Sequence, residues 1–321
     1  MFVLNASYRL QRLERYFEMA EITAAMVMQL RAQTGAAMML CKEALNATNG
    51  DAEEATVYIR KKMGGKIAGA TDRTASEGVV AVVVVDSQDA AIVELNSETD
   101  FVARSEDFKG LAKELAEHVA RKKGHSVETV LTEQSLVETG KTVQGRLEDV
   151  YTKLREKIVF KRFEFISTDE NGVLAGYVHV PANDKIGVLV ELEAASPEAA
   201  KSAAAAAIGK ELAMQIAASK PRFQTRDDVS AHIIAQEKDI ASSTARAEGK
   251  PEAAIEKIVE GRVRKFYEET VLVDQAWLRE PKKSVAQVLK ENNVSLRRYV
   301  RYTVGEQIGA ATSGAIKETA E

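Results

Sequence analysis

Glu94-Leu95-Asn96-Ser97-Glu98-Thr99-Asp100-Phe101-Val102-Ala103-Arg104 is the stretch whose reading decides how this chain folds. It starts as a strand and ends as a loop that leaves an aromatic beside an acid. Upstream, Val79 to Val85 and Ala91 to Leu95 read as two β-runs around Asp86-Ser87-Gln88-Asp89. Downstream, Ser105-Glu106-Asp107 is a helix N-cap with acids in the first turn, and Leu111, Leu115 and Val119 carry the helix on. Asp100 and Phe101 therefore fall in a strand-to-helix connection, the kind of place where a rigid scaffold presents contact residues.

The same plan recurs downstream as an internal repeat. Gly78-Val79-Val80-Ala81 returns as Gly172-Val173-Leu174-Ala175, and Val93-Glu94-Leu95 returns as Val190-Glu191-Leu192. Each hairpin leads into an Ala/Leu-rich helix, Phe108 to Val119 in the first copy and Pro197 to Ala217 in the second. Two ββα units of one plan predict an α+β core with pseudo-symmetry, antiparallel sheets and helices to one side. Only the first copy carries Thr99-Asp100-Phe101-Val102; the second has Ala194-Ala195-Ser196-Pro197 there. One decorated copy of a duplicated scaffold marks the decoration as functional.

Outside the repeat, residues 19–63 read as three short helices. Thr23 caps the first and Gly35 ends it. Met38, Met39, Cys41, Ala44 and Leu45 carry the second, and Asp51 caps a third with Ala55, Ile59 and Met63 on one face. Gly64, Gly65, Gly69 and Thr71 to Thr74 make residues 64–77 a linker. Residues 78–158 form the first core half, with a helix from Val143 to Ile158; 159–221 and 270–304 form the second. Between them, 222–269 is a protruding antiparallel hairpin, Arg226 to Glu248 and Pro251 to Glu269, turned at Gly249-Lys250-Pro251. Residues 305–321 are a small polar tail. Residues 1–18 are an extension with Arg9, Arg12 and Arg15 among Leu10, Leu13 and Tyr16; they read as an upstream start, with Met19 as the expected beginning.

Composition narrows the function. The net charge of −4 over 321 residues carries no basic excess for gripping nucleic acid through phosphates. No apolar run reaches the ~20 residues of a membrane span, and the single cysteine, Cys41, fits a reducing compartment such as the cytoplasm and reads as a packed thiol. The four histidines, His118, His125, His179 and His232, have no metal-ligand spacing. No phosphate-binding loop, dinucleotide fingerprint or nucleophile elbow is present. No cofactor is expected, and no metal.

The Glu94–Arg104 run, together with Leu30-Arg31-Ala32-Gln33-Thr34-Gly35-Ala36-Ala37-Met38-Met39-Leu40-Cys41-Lys42-Glu43-Ala44-Leu45, resembles the two signatures of the elongation factor Ts family. Tyr177-Val178-His179, Ile186-Gly187-Val188, Ala218-Ser219-Lys220-Pro221 and Val259-Glu260-Gly261-Arg262 resemble later parts of that family in the same order, so the likeness runs from about residue 19 to 308. It implies a ubiquitin-associated-like three-helix domain and a partner, the GTPase elongation factor Tu. It further implies that Asp100 and Phe101, with Thr99 and Val102, enter that GTPase near its magnesium and switch helices. Leu30, Arg31, Met38 and Met39 would dock on the same domain, and His179, Ile186 and Gly187 of the second copy on another. Whether the hairpin forms a homodimer stays open. From pattern alone, Phe101 is equally well a core residue and Asp100 a cap. A non-exchanging interaction scaffold is the alternative function, and an enzyme ranks last for want of a convergent nucleophile, base or metal set.

Overall fold

The computed structural model describes residues 22–34, 36, 38–69 and 75–306. The expected extension at 1–18, Gly35 as a terminator, Thr71 to Thr74 of the linker and the tail beyond 306 lie outside the described residues, as does the side chain of Met63.

Strands β1 (Glu77–Val85) and β2 (Asp89–Ser97) are the predicted hairpin. Val85 O accepts from Gln88 N–H at 3.2 Å, and Asp86 and Ser87 take φ of 50° and 61°. Those are the left-handed pair a tight turn between twisted strands needs, and Asp tolerates them. A one-turn helix α4 (Asp100–Ala103) follows, after the N-terminal helices α1 (Ala24–Thr34), α2 (Met38–Ala47) and α3 (Ala52–Gly69). Then come α5 (Glu106–Lys122), α6 (Val127–Thr132), α7 (Val143–Leu154) and β3 (Val159–Ser167). The second half repeats the plan in β4 (Gly172–Val178), β5 (Ile186–Ala194), α8 (Pro197–Ala200) and α9 (Ala203–Ser219). The hairpin α10 (Ala231–Ala247) and α11 (Glu252–Thr270) intervenes before β6 (Ala276–Trp277), β7 (Glu280–Ser284), α12 (Val285–Glu291) and β8 (Val294–Thr303).

The fold is α+β, with all strand pairs antiparallel in sheets ordered β1-β2-β3, β4-β5-β8 and β6-β7. Alternation along the strands builds three apolar layers. Val79, Ala91, Val93 and Leu95 face Phe108, Leu111, Leu115 and Val119 of α5. Val188, Val190 and Leu192 face Leu212, Ala213 and Ile216 of α9. The remaining faces meet each other through Val80, Ile92, Ile166, Leu189 and Val300. Helices thus cover one side of each sheet, and the sheets pack back to back.

That contact needs room. A Cβ on Gly187 would lie 2.3 Å from Val80 Cγ1, and one on Gly176 would lie 2.5 Å from Val82 Cγ1. Its ends are closed by two buried acids in equivalent places, each beside a β-bulge. Glu94 opposes Arg162, whose Nε donates to its Oε2 at 2.7 Å, and Glu191 opposes Arg298 at the same distance. Each acid also reaches the other sheet's trailing segment. Gly305 N–H donates to Glu94 Oε1 at 3.1 Å, and Thr168 Oγ1 donates to Glu191 Oε1 at 2.7 Å. Arg297, bonded to Asp169, holds that carboxyl below its ordinary range.

Three expectations are corrected. The segment holding Asp100 and Phe101 is a helical turn, not a loop, because Thr99 Oγ1 accepts from Val102 N–H and closes it. Helix α3 continues through Gly64 and Gly65 to Gly69, where a linker was expected; glycine in a helix costs only about 1 kcal/mol. The helix at Val143 ends at Leu154, with Arg155 in a left-handed cap, rather than reaching Ile158.

Gly187→Ala should cost about 1–3 kcal/mol in urea unfolding, as overpacking against a sheet that cannot retreat. Glu94→Ala should cost about 3–5 kcal/mol in the same assay, because it strands a buried guanidinium.

Candidate functional site

Thr99, Asp100, Phe101 and Val102 share one turn but do four different things. Thr99 is the N-cap and is half-buried. Val102 is buried on the α5 core and anchors the turn from below. Asp100 is paired with Arg104, whose Nη2 donates to Asp100 Oδ2 at 2.5 Å on the surface. Phe101 points outward at 82% exposure. An aromatic is normally among the most buried residues of its domain, so this one offers a large apolar face to something outside the chain.

The turn is held tightly around that face. Ser97 Oγ donates to Thr99 O at 2.9 Å, and Ser105 Oγ donates to Val102 O at 2.8 Å while also capping α5. Glu156, in the connection after α7, accepts from Thr99 N–H at 3.0 Å and from Thr99 Oγ1 at 2.7 Å. Glu156 went unnoticed in the sequence, since an isolated acid in a connection carries no pattern.

The second-copy set lies around the β4–β5 turn. Tyr177 OH and His179 Nδ1 lie 2.7 Å apart, and His179 N–H donates to Ile186 O at 2.9 Å, so His179 and Ile186 are brought together across the β4–β5 turn. Gly187 is not on that surface; it faces Val80 between the sheets. Val180, which the sequence reading did not single out, is exposed beside His179. Lys109 Nζ of α5 reaches Asp184 Oδ2 at 2.7 Å, tying this turn to the helix that follows Phe101.

In the N-terminal bundle, Leu30 is in the core with Val27, Cys41, Ala44, Leu45, Ala55 and Ile59. Arg31, Met38 and Met39 are at the surface, with Met39 more open than Met38, and Met28 and Val57 are exposed as well. Helices α1 and α3 pack on α7, whose far end leads to Glu156. Among the described residues no group of three or more His, Cys, Asp or Glu is placed to hold a metal ion, and no helix is long and apolar enough to cross a membrane.

Two pseudo-symmetric sheet-and-helix halves, one bearing an outward aromatic on a braced turn, define a class of duplicated α+β proteins with a single decorated copy. The comparison with known families makes this specific: residues 98–306, more than half of the chain, match the family described as elongation factor TS, and the chain belongs to that family.

Phe101→Ala should leave thermal and urea stability within about 0.5 kcal/mol of the unmutated protein, as a surface change. Phe108→Ala, two turns away and fully buried, should cost about 3–5 kcal/mol.

Proposed function

We propose that this translation elongation factor is a guanine-nucleotide exchange factor that acts on elongation factor Tu in the cytoplasm. The observation that carries the reading is Phe101, exposed on a braced turn in a chain of this family. The protein binds the GDP-bound GTPase and inserts the Asp100–Phe101 turn near its magnesium and switch region. GDP leaves, and GTP rebinds. No covalent chemistry is done by the factor.

The physics is favourable. Nucleotide affinity in such GTPases rests on Mg²⁺ bridging phosphate oxygens and on backbone donors around them. A rigid aromatic wedge supplies much contact area at small conformational cost. An acid brought close to the metal competes within its ligand field. Arg31, Met38 and Met39 on one side, with His179 and Ile186 on the other, would supply further contacts, with Leu30 and Gly187 acting through the scaffold. Linkage then fixes the logic: if the factor weakens nucleotide binding, nucleotide weakens factor binding by the same factor. The factor opens a faster route, and the excess of GTP sets the direction.

The test is release of fluorescent GDP from elongation factor Tu, with and without the protein. Strong acceleration, reduced about thirtyfold or more in Phe101→Ala, is the expected result, in line with loss of an aromatic hot spot. Binding without acceleration by the unmutated protein would leave the interaction scaffold as the better reading.

A further inference from the structure

A four-residue helix has almost no stability of its own, since nucleation is costly and its first N–H groups lack helical partners. Yet α4 must hold Phe101 in the open. Val102 and Ala103 grip the core beneath it, so what fixes the other end matters. There the carboxylate of Glu156 takes both the Thr99 N–H and the Thr99 hydroxyl proton. A threonine hydroxyl has one proton to give. With that proton committed to Glu156, the oxygen's lone pairs are left for the Val102 N–H, 3.4 Å away, which caps the turn beside the backbone bonds Ala103 N–H to Thr99 O at 3.2 Å and Arg104 N–H to Asp100 O at 3.0 Å. The neighbouring residues repeat the exchange in reverse, Lys157 N–H donating to Glu98 Oε1 at 2.8 Å. Two carboxylates thus cross-link segments 98–99 and 156–157, through the charge-assisted kind of hydrogen bond.

The second half of the molecule serves as an internal control. Ser196, Ser202 and Lys220 stand where Thr99, Ser105 and Lys123 do, and α8 stands where α4 does. Arg298 occupies the place of Arg162 in the register, and Asn292 lies in the connection before β8 as Glu156 lies in the connection before β3. Asn292 turns back on its own helix, Nδ2 donating to Val288 O at 2.8 Å. The entry to α8 is set instead by Pro197 at its first position, whose ring fixes φ and which has no N–H to satisfy. The carboxylate brace is present in the copy that bears Phe101, where Asp100 replaces the proline.

We propose that Glu156 is a positioning residue for exchange: it locks the cap of the turn that carries Asp100 and Phe101, so that the aromatic meets its partner as a stiff wedge. This rests on the exchange reading above. A loosened turn would still allow docking through the other contact sets but would yield instead of pressing. Loss of the brace should therefore lower the maximal release rate more than the apparent affinity.

The experiment compares the full chain with Glu156→Ala, Glu156→Gln and Thr99→Val, the last removing the hydroxyl arm should Glu156→Ala fold poorly. Amide hydrogen exchange in the free protein is read at Val102, Ala103 and Arg104, and GDP release is read over a range of factor concentrations. Glu156→Ala is expected to speed exchange at these three amides about tenfold, with the β2 amides unchanged. It should also lower the maximal release rate about tenfold while the half-saturating concentration moves less than about threefold. Glu156→Gln, which keeps one acceptor, should restore most of both. Unchanged amide protection in Glu156→Ala and Thr99→Val overturns the proposal, and so does a rate defect that higher factor concentration removes. If the unmutated protein does not speed release, the exchange reading fails on its own, while the amide data still decide whether Glu156 holds the turn.

Discussion

The two sheets lie back to back, and the narrowness of the space between them governs the rest of the structure. Val80 and Val82 of the first sheet enter only because Gly187 and Gly176 of the second have no Cβ to meet them. The buried acids Glu94 and Glu191, paired with Arg162 and Arg298, then fix how far the sheets can slide, since each acid is bonded to its own sheet and to the segment trailing the other. Buried ion pairs add little net stability compared with apolar packing, but breaking one leaves an uncompensated charge. Their effect here is on register. A one-residue slip of β2 would turn Glu94 toward α5 and Leu95 toward the second sheet. Placement of α5, and with it the Ser105 cap and the turn before it, follows from that register.

Duplication explains how a demanding local feature arises on a tolerant scaffold. Both halves use a hydroxyl cap, a one-turn helix, a second hydroxyl cap and a long helix ending in a left-handed lysine. The shared devices satisfy the backbone in both copies. The outward positions of the short turn differ, Asp100 and Phe101 in one and Pro197 and Glu198 in the other, and so does the brace, which Glu156 supplies in the first copy. Because the cap and the core-facing Val102 and Ala103 carry the turn, the outward positions are free of structural duty.

Much of this was legible in the sequence, for physical reasons. The repeat, the strands and the Ser105 cap all express period, capping chemistry or self-similarity, and the structure has each of them. The buried glutamates were visible as a repeated Val-Glu-Leu, but a repeated acid within an apolar strand gives no clue to its partner until register is known. Four residues are too few to show helical periodicity, so α4 read as a loop although its cap, Thr99, was in plain view. The small hairpin β6–β7 was missed because Pro281, Lys282 and Lys283 look nothing like a strand, which is how exposed edges are commonly protected. In α1 apolar residues occur around the whole circumference, so nothing in the pattern separated the buried Leu30 from the exposed Met28.

Stiffness and reversibility make opposite demands on an exchange factor, and under the proposed function this fold would meet them in different places. Under the exchange reading, a wedge can move its partner only if yielding costs it more than the partner's rearrangement does, because a ligand shifts an equilibrium by no more than its differential affinity for the two states. That favours placing Phe101 on a turn anchored in the first core by Val102 and Ala103 rather than on a mobile loop. The energy for the shift must come from contacts that persist through it, which suits the exposed Arg31, Met38 and Met39 and the His179–Ile186 turn, none of them on the wedge itself. GTP entry must then be able to expel the factor, so no single contact set can bind too tightly. Under that reading, contact sets spread over the N-terminal bundle and both halves of the core, linked through α7 and the Lys109–Asp184 pair, would let each remain modest while their sum held the complex.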